Sequence, residues 1–254
     1  MNPSFDLNEY IMHHVTNSKV WHVPFFPPLN LPGFLTVHSL MLLLGSIFLL
    51  IIFLFLYRKH QRVPTGLTNA LEAIVMFIRD DIAIPNLGPK DGVLFTPMLC
   101  SLFFFILMLN LMGLIPIFST ATANINVTGP LAFLIFVLLV FGTLLRNGVK
   151  GMWHALIPSA LPAWLIPFFL IIEVFSILVR SAALMIRLFA NMLAGHMVIL
   201  SFLGLVVLFG WIALPAVFIA IFIYCLELFI ALLQAYIFIL LSAVFIGQMY
   251  HPEH

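Results

Sequence analysis

Charged side chains interrupt a long apolar stretch in the second half of this sequence. The segment EVFSILVRSAALMIRLFANMLAGH, residues 173–196, carries a carboxylate, two arginines, an amide and an imidazole among Val, Ile, Leu, Phe and Met. A charged side chain at the centre of a bilayer costs roughly 2.5 to 3.5 kcal/mol on insertion scales. Glu173, Arg180 and Arg187 would together cost about 8 to 10 kcal/mol if they lie deep, and a cost of this size indicates a function.

The carboxylate, the two arginines and the amide share one face of a helix. At about 100° per residue, an α-helix brings one set of positions within about 80° of one another. The set comprises Glu173, Ser176, Arg180, Ala183, Arg187 and Asn191. The rest of the helix surface is apolar and suits lipid, so we expect this polar stripe to face protein or water inside the membrane.

A second polar stripe follows in the last apolar segment. Glu227 and Gln234 are seven residues apart, which places them on one face of a helix with Ala231 between them. A carboxylate and an imidazole in a poorly solvated groove can exchange protons. Glu227 and His196 are therefore predicted members of a proton path.

The remaining stripe residues have different chemistry. Asn191 and Gln234 would hold water or orient their neighbours, although Gln234 could also serve only as a hydrogen-bonding residue between helices. Arginine keeps its proton, so Arg187 would act as a fixed charge that blocks proton passage along the stripe and attracts an anionic group. Arg180 either extends toward the membrane interface or pairs with Glu173; an unpaired Glu173 would line a cytoplasmic water entrance.

The composition places these stripes in a polytopic membrane protein. The 254 residues are 64% hydrophobic and only 7% charged. Their mean hydropathy is +1.22, and soluble domains carry about a quarter charged residues. A net charge of +1 gives no indication of a basic patch, so we expect no nucleic-acid partner.

The cysteines and the first histidines do not indicate a metal centre. Cys100 and Cys225 lie in apolar runs, where free cysteine behaves as a small hydrophobe, so we predict no disulfide, no metal and no cofactor. His13, His14 and His22 lack metal-ligand spacing and are interpreted as solvated histidines.

The amino-terminal part predicts an external arm and a first span. Residues 1–35 are polar and then rich in proline, as expected of an irregular arm, and they show neither the basic start nor the cleavage site of a signal peptide. Residues 36–57 are apolar and long enough to cross the bilayer. The basic cluster at 58–62 places the end of this span on the cytoplasmic side.

The middle of the chain predicts an amphipathic helix and two further spans. Residues 66–85 place apolar positions at helical spacing on one face and polar residues on the other, a pattern typical of a helix in the membrane interface. Residues 93–150 contain two spans joined by a polar external loop at 118–130. The loop after the second of them carries Arg146 and Lys150 and would be cytoplasmic.

Residues 155–250 predict a two-helix hairpin that carries the proton path. The apolar run from 168 to 209 would be about 63 Å long as one helix, so it is either two spans or one strongly tilted helix. No strong turn signal interrupts it, which favours the tilted helix. The run from 214 to 249 has the same excess of length. The predicted fold is an all-α polytopic membrane protein with three spans or near-spans, one amphipathic interfacial helix and a long tilted antiparallel hairpin at its C-terminal end.

Three stretches resemble one protein family. They are RLFANMLAGH at 187–196, ELFIALLQAYIFILL at 227–241 and LNLMGLIPIFSTATANINVT at 109–128. The first two resemble the signature stretches of subunit a of the F-type ATP synthase, the static proton-channel subunit of the membrane sector, and the third resembles the family's segment between its second and third spans. The resemblance covers residues 36–250. It implies an ion-translocating subunit of a proton-transporting ATP synthase, without a catalytic site of its own.

The resemblance also implies roles for individual residues. In the family, the arginine corresponding to Arg187 faces a rotor ring of hairpin subunits with buried carboxylates and separates two aqueous half-channels. Arg187 would thus displace the proton from an arriving rotor carboxylate and prevent a short circuit. Asn191, His196, Glu227 and Gln234 match positions of the outer half-channel and of the arginine's surroundings.

Other positions mark the branch of the family. Glu173 matches an acidic position near the inner half-channel. The histidine at 196 and the acid at 227 occur exchanged in some members, and the order here is that of mitochondrial-type sequences. Gly113 stands where some bacterial members have an aspartate, so no acidic role carries over to it.

The resemblance implies partners and a location as well. The partners would be the rotor ring, a peripheral stalk subunit and the lipid bilayer, in an energy-transducing membrane. A bacterial inner membrane is favoured, and a mitochondrial inner membrane remains open. The alternative is a stand-alone ion-coupled transporter or channel, which would show paired internal repeats with broken helices in both halves. The polar residues are instead concentrated in the last hairpin.

Overall fold

The structure, a computed structural model, describes seven ranges of the chain. They are residues 20–21, 29–32, 36–57, 66–115, 118–157, 162–210 and 214–250. The predicted arm of residues 1–35 is therefore described only in part. His13, His14 and His22 and the basic cluster at 58–62 lie outside the described residues.

In the described part of the chain, two short strands precede the first helix. Strand β1 (Val20–Trp21) pairs antiparallel with β2 (Leu29–Asn30). Helix α1 (Val37–Tyr57) has 21 residues, so its length of about 32 Å suits a hydrocarbon core of about 30 Å. The Thr36 hydroxyl accepts the backbone N–H of Ser39 at 3.4 Å and so satisfies one of the free N–H groups at the start of α1.

The amphipathic segment and the second predicted span are consecutive helices. Helix α2 (Leu67–Phe77) continues through a π-helical turn (Ile78–Ala83) into α3 (Ile84–Leu114). Helix α3 is interrupted at Gly88, whose φ of 82° is a conformation that glycine adopts readily. Pro89 follows at once, and its fixed φ suits the first turn of a new helix. A single glycine thus separates the amphipathic segment from the following apolar helix.

The next helix begins earlier than the sequence pattern predicts. Helix α4 (Ile125–Val137) starts inside the loop expected at 118–130, so the loop prediction is too long. The reason is a helix cap, because the side-chain oxygen of Asn124 accepts the backbone N–H of Asn126 at 2.9 Å. The cap lets the helix begin among polar residues.

A second π-helical turn (Leu138–Gly142) joins α4 to helix α5 (Thr143–Leu156). Arg146 and Lys150 lie in α5, so their assignment to a loop was wrong. Gly148, with a φ of 67°, breaks the helix between them. A glycine among polar residues is typical of a loop, so the sequence pattern here favoured a loop although the chain is helical on both sides of Gly148.

The last two helices are the longest of the described residues. Helix α6 (Ile166–Phe209) has 44 residues and α7 (Leu214–Tyr250) has 37. The apolar run from 168 to 209 is therefore one helix, as predicted, and not two spans. At about 66 Å, α6 is about twice as long as a perpendicular crossing requires.

Within the described ranges, five segments are long and apolar enough to cross a membrane. They are Val37–Phe55, Leu67–Leu114, Ile125–Trp153, Ile166–Val206 and Pro215–Tyr250. The second of them includes both α2 and α3 with the break at Gly88. The predicted all-α polytopic membrane fold is confirmed.

The helices are distributed over two compact units. Unit one consists of Met1–Ile51, Phe104–Thr128 and Arg187–Ala235. Its main apolar core joins α1 to α3 and to the start of α4 through Val37, Met41, Leu109, Met112, Ala121 and Val127. A smaller core joins α3, α6 and α7 through Leu114, Met192 and Ala231.

Unit two consists of Ile52–Phe103, Gly129–Ile186 and Tyr236–His254. Its most deeply buried side chains come from the first part of α3 with the preceding π-helical turn, from α4 with the following one, and from the end of α7. They include Ile78, Ile82, Leu87, Leu99, Ile135, Leu139, Phe238 and Ile246. Polar side chains among such residues need partners inside the protein, because water does not reach them.

Candidate functional site

The two predicted polar stripes meet in unit one. The side-chain N–H of Asn191 in α6 donates to Gln234 Oε1 in α7 at 2.7 Å. Gln234 is buried, and its Nε2 has no hydrogen-bond partner among the described residues. One amide pair therefore ties the two helices together and leaves a donor available inside the protein.

Glu227 lies in α7 seven residues before Gln234, on the same face of the helix, and it packs on α6. A Cβ atom added at Gly195 would come within 2.6 Å of Glu227 Oε1, so the carboxyl group rests against the backbone of α6. Glu227 is 3% exposed, and neither carboxyl oxygen has a hydrogen-bond partner in the described part of the chain. Burying an ionised carboxylate without a partner is costly, so this site calls for water or a proton. His196, the neighbour of Gly195, is half-buried.

The same contacts show that α6 and α7 run in opposite directions. Asn191 meets Gln234, whereas Gly195, four residues later in α6, meets Glu227, seven residues earlier in α7. The predicted antiparallel hairpin is thus observed at this level. Of the predicted residues, the structure brings Asn191 to Gln234, and it places Glu227 beside the residue that precedes His196.

Asn110 is a further polar residue of this site that the sequence analysis did not single out. Its side chain is 1% exposed and donates from Nδ2 to the backbone oxygen of Ala231 at 3.3 Å. Ala231 lies between Glu227 and Gln234 in α7, so Asn110 of α3 reaches the middle of the second stripe. The signal was available, because an amide inside an apolar span is costly unless it has a partner. Asn110, Asn191, Gly195, Glu227 and Gln234 are called the Glu227 cluster below.

Buried hydroxyl groups extend the polar interior of unit one. Thr120 donates from Oγ1 to the backbone oxygen of Gly113 at 3.4 Å. Thr122 and Thr128 are fully buried, and their hydroxyl oxygens have no hydrogen-bond partner among the residues that the structure describes. Because buried polar atoms are nearly always hydrogen-bonded, these groups indicate positions for internal water.

Arg187 is half-buried in α6 and belongs to unit one. It forms no hydrogen bond or ion pair with any residue that the structure describes. Leu184 and Leu188 on either side of it are fully buried. A guanidinium in such surroundings calls for an anionic partner, because its charge is not compensated by a described residue of this chain.

Glu173 and Arg180 belong to unit two, where they form an ion pair. Arg180 Nη2 lies 3.4 Å from Glu173 Oε1, and Nη1 donates to Gln248 Oε1 in α7 at 3.3 Å. The guanidinium also lies over the ring of Phe245 at 5.7 Å. The sequence left two interpretations of Arg180, extension toward the membrane interface or pairing with Glu173, and the structure shows the pairing. These four residues are called the Arg180 cluster.

A second ion pair of unit two has no counterpart in the sequence analysis. The buried carboxylate of Asp91 in α3 binds Arg146 of α5. Arg146 also lies over the ring of Tyr250 at 5.4 Å, and Asn147 donates to the backbone oxygen of Tyr250 at 3.2 Å. The ring of Phe95 meets that of Tyr250 edge-on. These contacts hold the end of α7 against α3 and α5.

Among the described residues, no group of three His, Cys, Asp or Glu side chains could hold a metal ion. Cys100 is buried and Cys225 is exposed, and both are free thiols. The polar side chains of the two clusters carry carboxyl, amide and guanidinium groups, and His196, next to Gly195, adds an imidazole.

Fold and clusters together define a class, the multi-pass α-helical membrane proteins with ionisable side chains buried in a long helix hairpin. A family model described as ATP synthase A chain matches residues 39–247. The chain belongs to this family, and the resemblance noted in the sequence is confirmed.

Relatives of known name agree. The chain is 45% identical over 217 residues to ATP synthase subunit a of Anaeromyxobacter dehalogenans strain 2CP-C, which covers 84% of this chain and 57% of that protein. It is 41% identical over 264 aligned residues to ATP synthase subunit a of Chlorobium phaeobacteroides strain DSM 266, an alignment that covers 97% of this chain and 76% of that protein. It is 37% identical over 258 aligned residues to ATP synthase subunit a of Myxococcus xanthus strain DK1622, an alignment that covers 92% of this chain and 84% of that protein. The chain thus spans just over half the length of the Anaeromyxobacter protein.

Proposed function

We propose that this chain is the static proton-translocating subunit of a rotary F-type ATP synthase. It passes protons through two half-channels to and from rotor-ring carboxylates, and so couples the proton gradient to rotation. The observation that carries the proposal is the half-buried Arg187, which has no anionic partner among the described residues and precedes Asn191 of the Glu227 cluster by one helical turn.

The Glu227 cluster forms the outer half-channel. Glu227 and His196 take up and release the proton, because a carboxyl group and an imidazole can both titrate and Glu227 packs on Gly195, the residue that precedes His196. The unpartnered carboxyl oxygens of Glu227 are available to water. Asn110 and the Asn191–Gln234 pair line the path with amide groups that both donate and accept hydrogen bonds, which suits a chain of ordered water molecules.

Arg187 separates the half-channels. A rotor carboxylate that arrives with a proton meets a fixed positive charge, and an opposite charge nearby favours the ionised form of a carboxyl group. The proton therefore leaves, and the carboxylate pairs with the guanidinium until the ring moves on. Arginine does not release its own proton, so protons cannot pass from one half-channel to the other through Arg187.

Glu173 serves the inner half-channel. Its side chain is 17% exposed and is paired with Arg180, so it lies neither in bulk water nor in a fully buried site. A carboxylate in such a position can relay protons between water and the rotor. Its proposed role rests on the acidic position that it matches in the family.

Energy considerations fit a rotary mechanism. Moving one charge across a membrane potential yields about 2.3 kcal/mol per 100 mV, so several protons must cross for each ATP made elsewhere in the complex. The chain contains no phosphate-binding loop motif. We therefore assign it no catalytic site of its own.

The proposed partners follow from this role. They are a rotor ring of hairpin subunits with buried carboxylates, a peripheral stalk subunit and the surrounding lipid. The relatives are bacterial proteins, which supports a bacterial inner membrane as the location.

Reconstitution in liposomes tests the proposal against a stand-alone transporter. The purified chain alone, and the chain together with a rotor ring, are each exposed to a potassium diffusion potential while internal pH is recorded. Proton flux is expected only in the presence of the ring, because Arg187 needs the rotor carboxylate. Flux of equal size through the chain alone would show a self-contained transporter instead.

A further inference from the structure

One guanidinium joins α6 to α7 within unit two. Arg180 contacts Glu173 in its own helix and both Gln248 and Phe245 in α7, at 3.4 and 3.3 Å for the two oxygens and 5.7 Å for the ring centre. Gln248 and Phe245 are three residues apart in α7, so they lie on the same side of that helix. Arg180 is 27% exposed and is thus partly open to water.

We propose that Arg180 is a positioning residue of the inner proton path. Gln248 and Phe245 hold its guanidinium in place, so that a positive charge stays beside Glu173 whether or not that carboxyl group carries a proton. The inference rests on the proposed function, because it presupposes that Glu173 takes part in proton transfer. It adds three residues of the last two helices to that path.

Only one of the three contacts depends on the charge of Glu173. When the carboxylate takes up a proton, the ion pair loses most of its attraction because one partner is then neutral. The amide oxygen of Gln248 and the face of the Phe245 ring attract a guanidinium regardless of that proton. A guanidinium has five N–H donors, so it can bond to both oxygens at the same time.

The contacts with Gln248 and Phe245 matter because neither hydrogen bond of Arg180 is strong by itself. Charge-assisted N–H···O bonds are usually about 2.7 to 2.9 Å long, and the two bonds of Arg180 are longer, at 3.4 and 3.3 Å. A long side chain with an exposed part can also extend its charged end into water. Without Gln248 and Phe245, Arg180 would leave Glu173 each time the carboxyl group became neutral. When Glu173 lost its proton again, the ion pair with Arg180 would have to form anew.

The test uses the assembled ATP synthase in membrane vesicles stripped of the catalytic sector, with passive proton conduction measured per assembled complex. Arg180→Gln is expected to lower conduction about three- to tenfold, because it removes the positive charge beside Glu173. Gln248→Leu is expected to lower it about two- to threefold, because it removes only one of the contacts that hold the guanidinium. The double variant should conduct no more slowly than Arg180→Gln, because Gln248 acts through Arg180. Ser201→Ala, which removes a bond of an exposed side chain to its own helix, is the control.

Arg180→Lys separates positioning from simple packing. Lysine keeps the charge but is a point charge that cannot hold two acceptors in the fork of a guanidinium. This variant is expected to conduct faster than Arg180→Gln and to be unaffected by Gln248→Leu. A merely structural role would change the amount of assembled complex and leave conduction per complex unchanged in all these variants. That result, or losses that simply multiply in the double variant, would overturn the inference.

Arg187→Ala in the same vesicles keeps the two hypotheses apart. With the catalytic sector restored, this variant should pump no protons during ATP hydrolysis. Normal pumping would overturn the proposed function itself. Loss of pumping in Arg187→Ala together with unchanged conduction in the Arg180 variants would overturn only the role of Arg180.

Discussion

The carboxyl group of Glu227 occupies the space that a side chain at Gly195 would need. A Cβ atom at residue 195 would lie 2.6 Å from Glu227 Oε1 and 2.8 Å from its Cδ, both shorter than van der Waals contact. The two residues belong to different helices, α7 and α6. The absence of a side chain in α6 therefore makes room for the one buried carboxyl group of the Glu227 cluster.

Gly195→Ala should slow proton conduction without destabilising the protein. The added methyl group must displace the carboxyl group, and a shift of about an ångström can cost tenfold or more in a transfer rate. Alanine also favours a helix over glycine by about 1 kcal/mol, so the midpoint of thermal unfolding should stay or rise. Conduction per complex and thermal unfolding are measured together. Gly129→Ala is the control, because a Cβ atom added there would meet only Met185 Sδ, at an ordinary contact distance of 3.7 Å. Equal conduction in both variants would contradict the prediction.

Arg187→Ala should abolish ATP-driven proton pumping while leaving the complex assembled. The guanidinium has no partner among the described residues whose loss would disturb the fold, yet it is the fixed charge that the mechanism requires. Pumping is followed with a pH-sensitive dye, and assembly by recovery of the intact complex. Arg79→Ala removes an arginine from an exposed ion pair with Asp80, worth at most about 1 kcal/mol, and should pump normally. If Arg187→Ala retained coupled pumping, the assignment of Arg187 as the fixed charge of the mechanism would be wrong.

Glu227→Gln should slow proton flow and flatten its pH dependence. Glutamine has nearly the same size, so the buried site stays packed, but it cannot take up and release a proton. Passive conduction is recorded over a range of outer pH values. Glu72→Gln, at an exposed position in α2, should keep the parent profile. An unchanged profile in Glu227→Gln would exclude this residue from the path.

Arg146→Ala should destabilise the complex more than Asp91→Asn does. Arg146→Ala leaves the buried Asp91 carboxylate without its guanidinium, at a cost of about 2 to 4 kcal/mol, and also removes the contact with Tyr250. Asp91→Asn leaves an arginine that is 36% exposed and can turn to water, at a cost of about 1 kcal/mol. Thermal unfolding in detergent compares them. The reverse order would mean that Asp91 has another role.

Local sequence signals predicted the helices well and their limits less well. Apolar runs identified the long helices, because a membrane-crossing helix must be apolar along its length. The cap at Asn124 and the helix around Gly148 were missed. In both places polar or glycine-rich residues form helix, since a side-chain cap or a single left-handed residue costs less than an unsatisfied backbone.

By itself, the sequence determined that this protein is an all-α membrane protein and which residues share a helix face. The helical period of 3.6 residues is a local property, so it places Arg187 and Asn191 on one stripe without knowledge of the fold. Only the tertiary structure decided which faces meet. The pairing of Asn191 with Gln234, the reach of Asn110 to Ala231 and the ion pair of Asp91 with Arg146 join residues 43, 121 and 55 positions apart. Such contacts depend on how helices pack, and no local period encodes them.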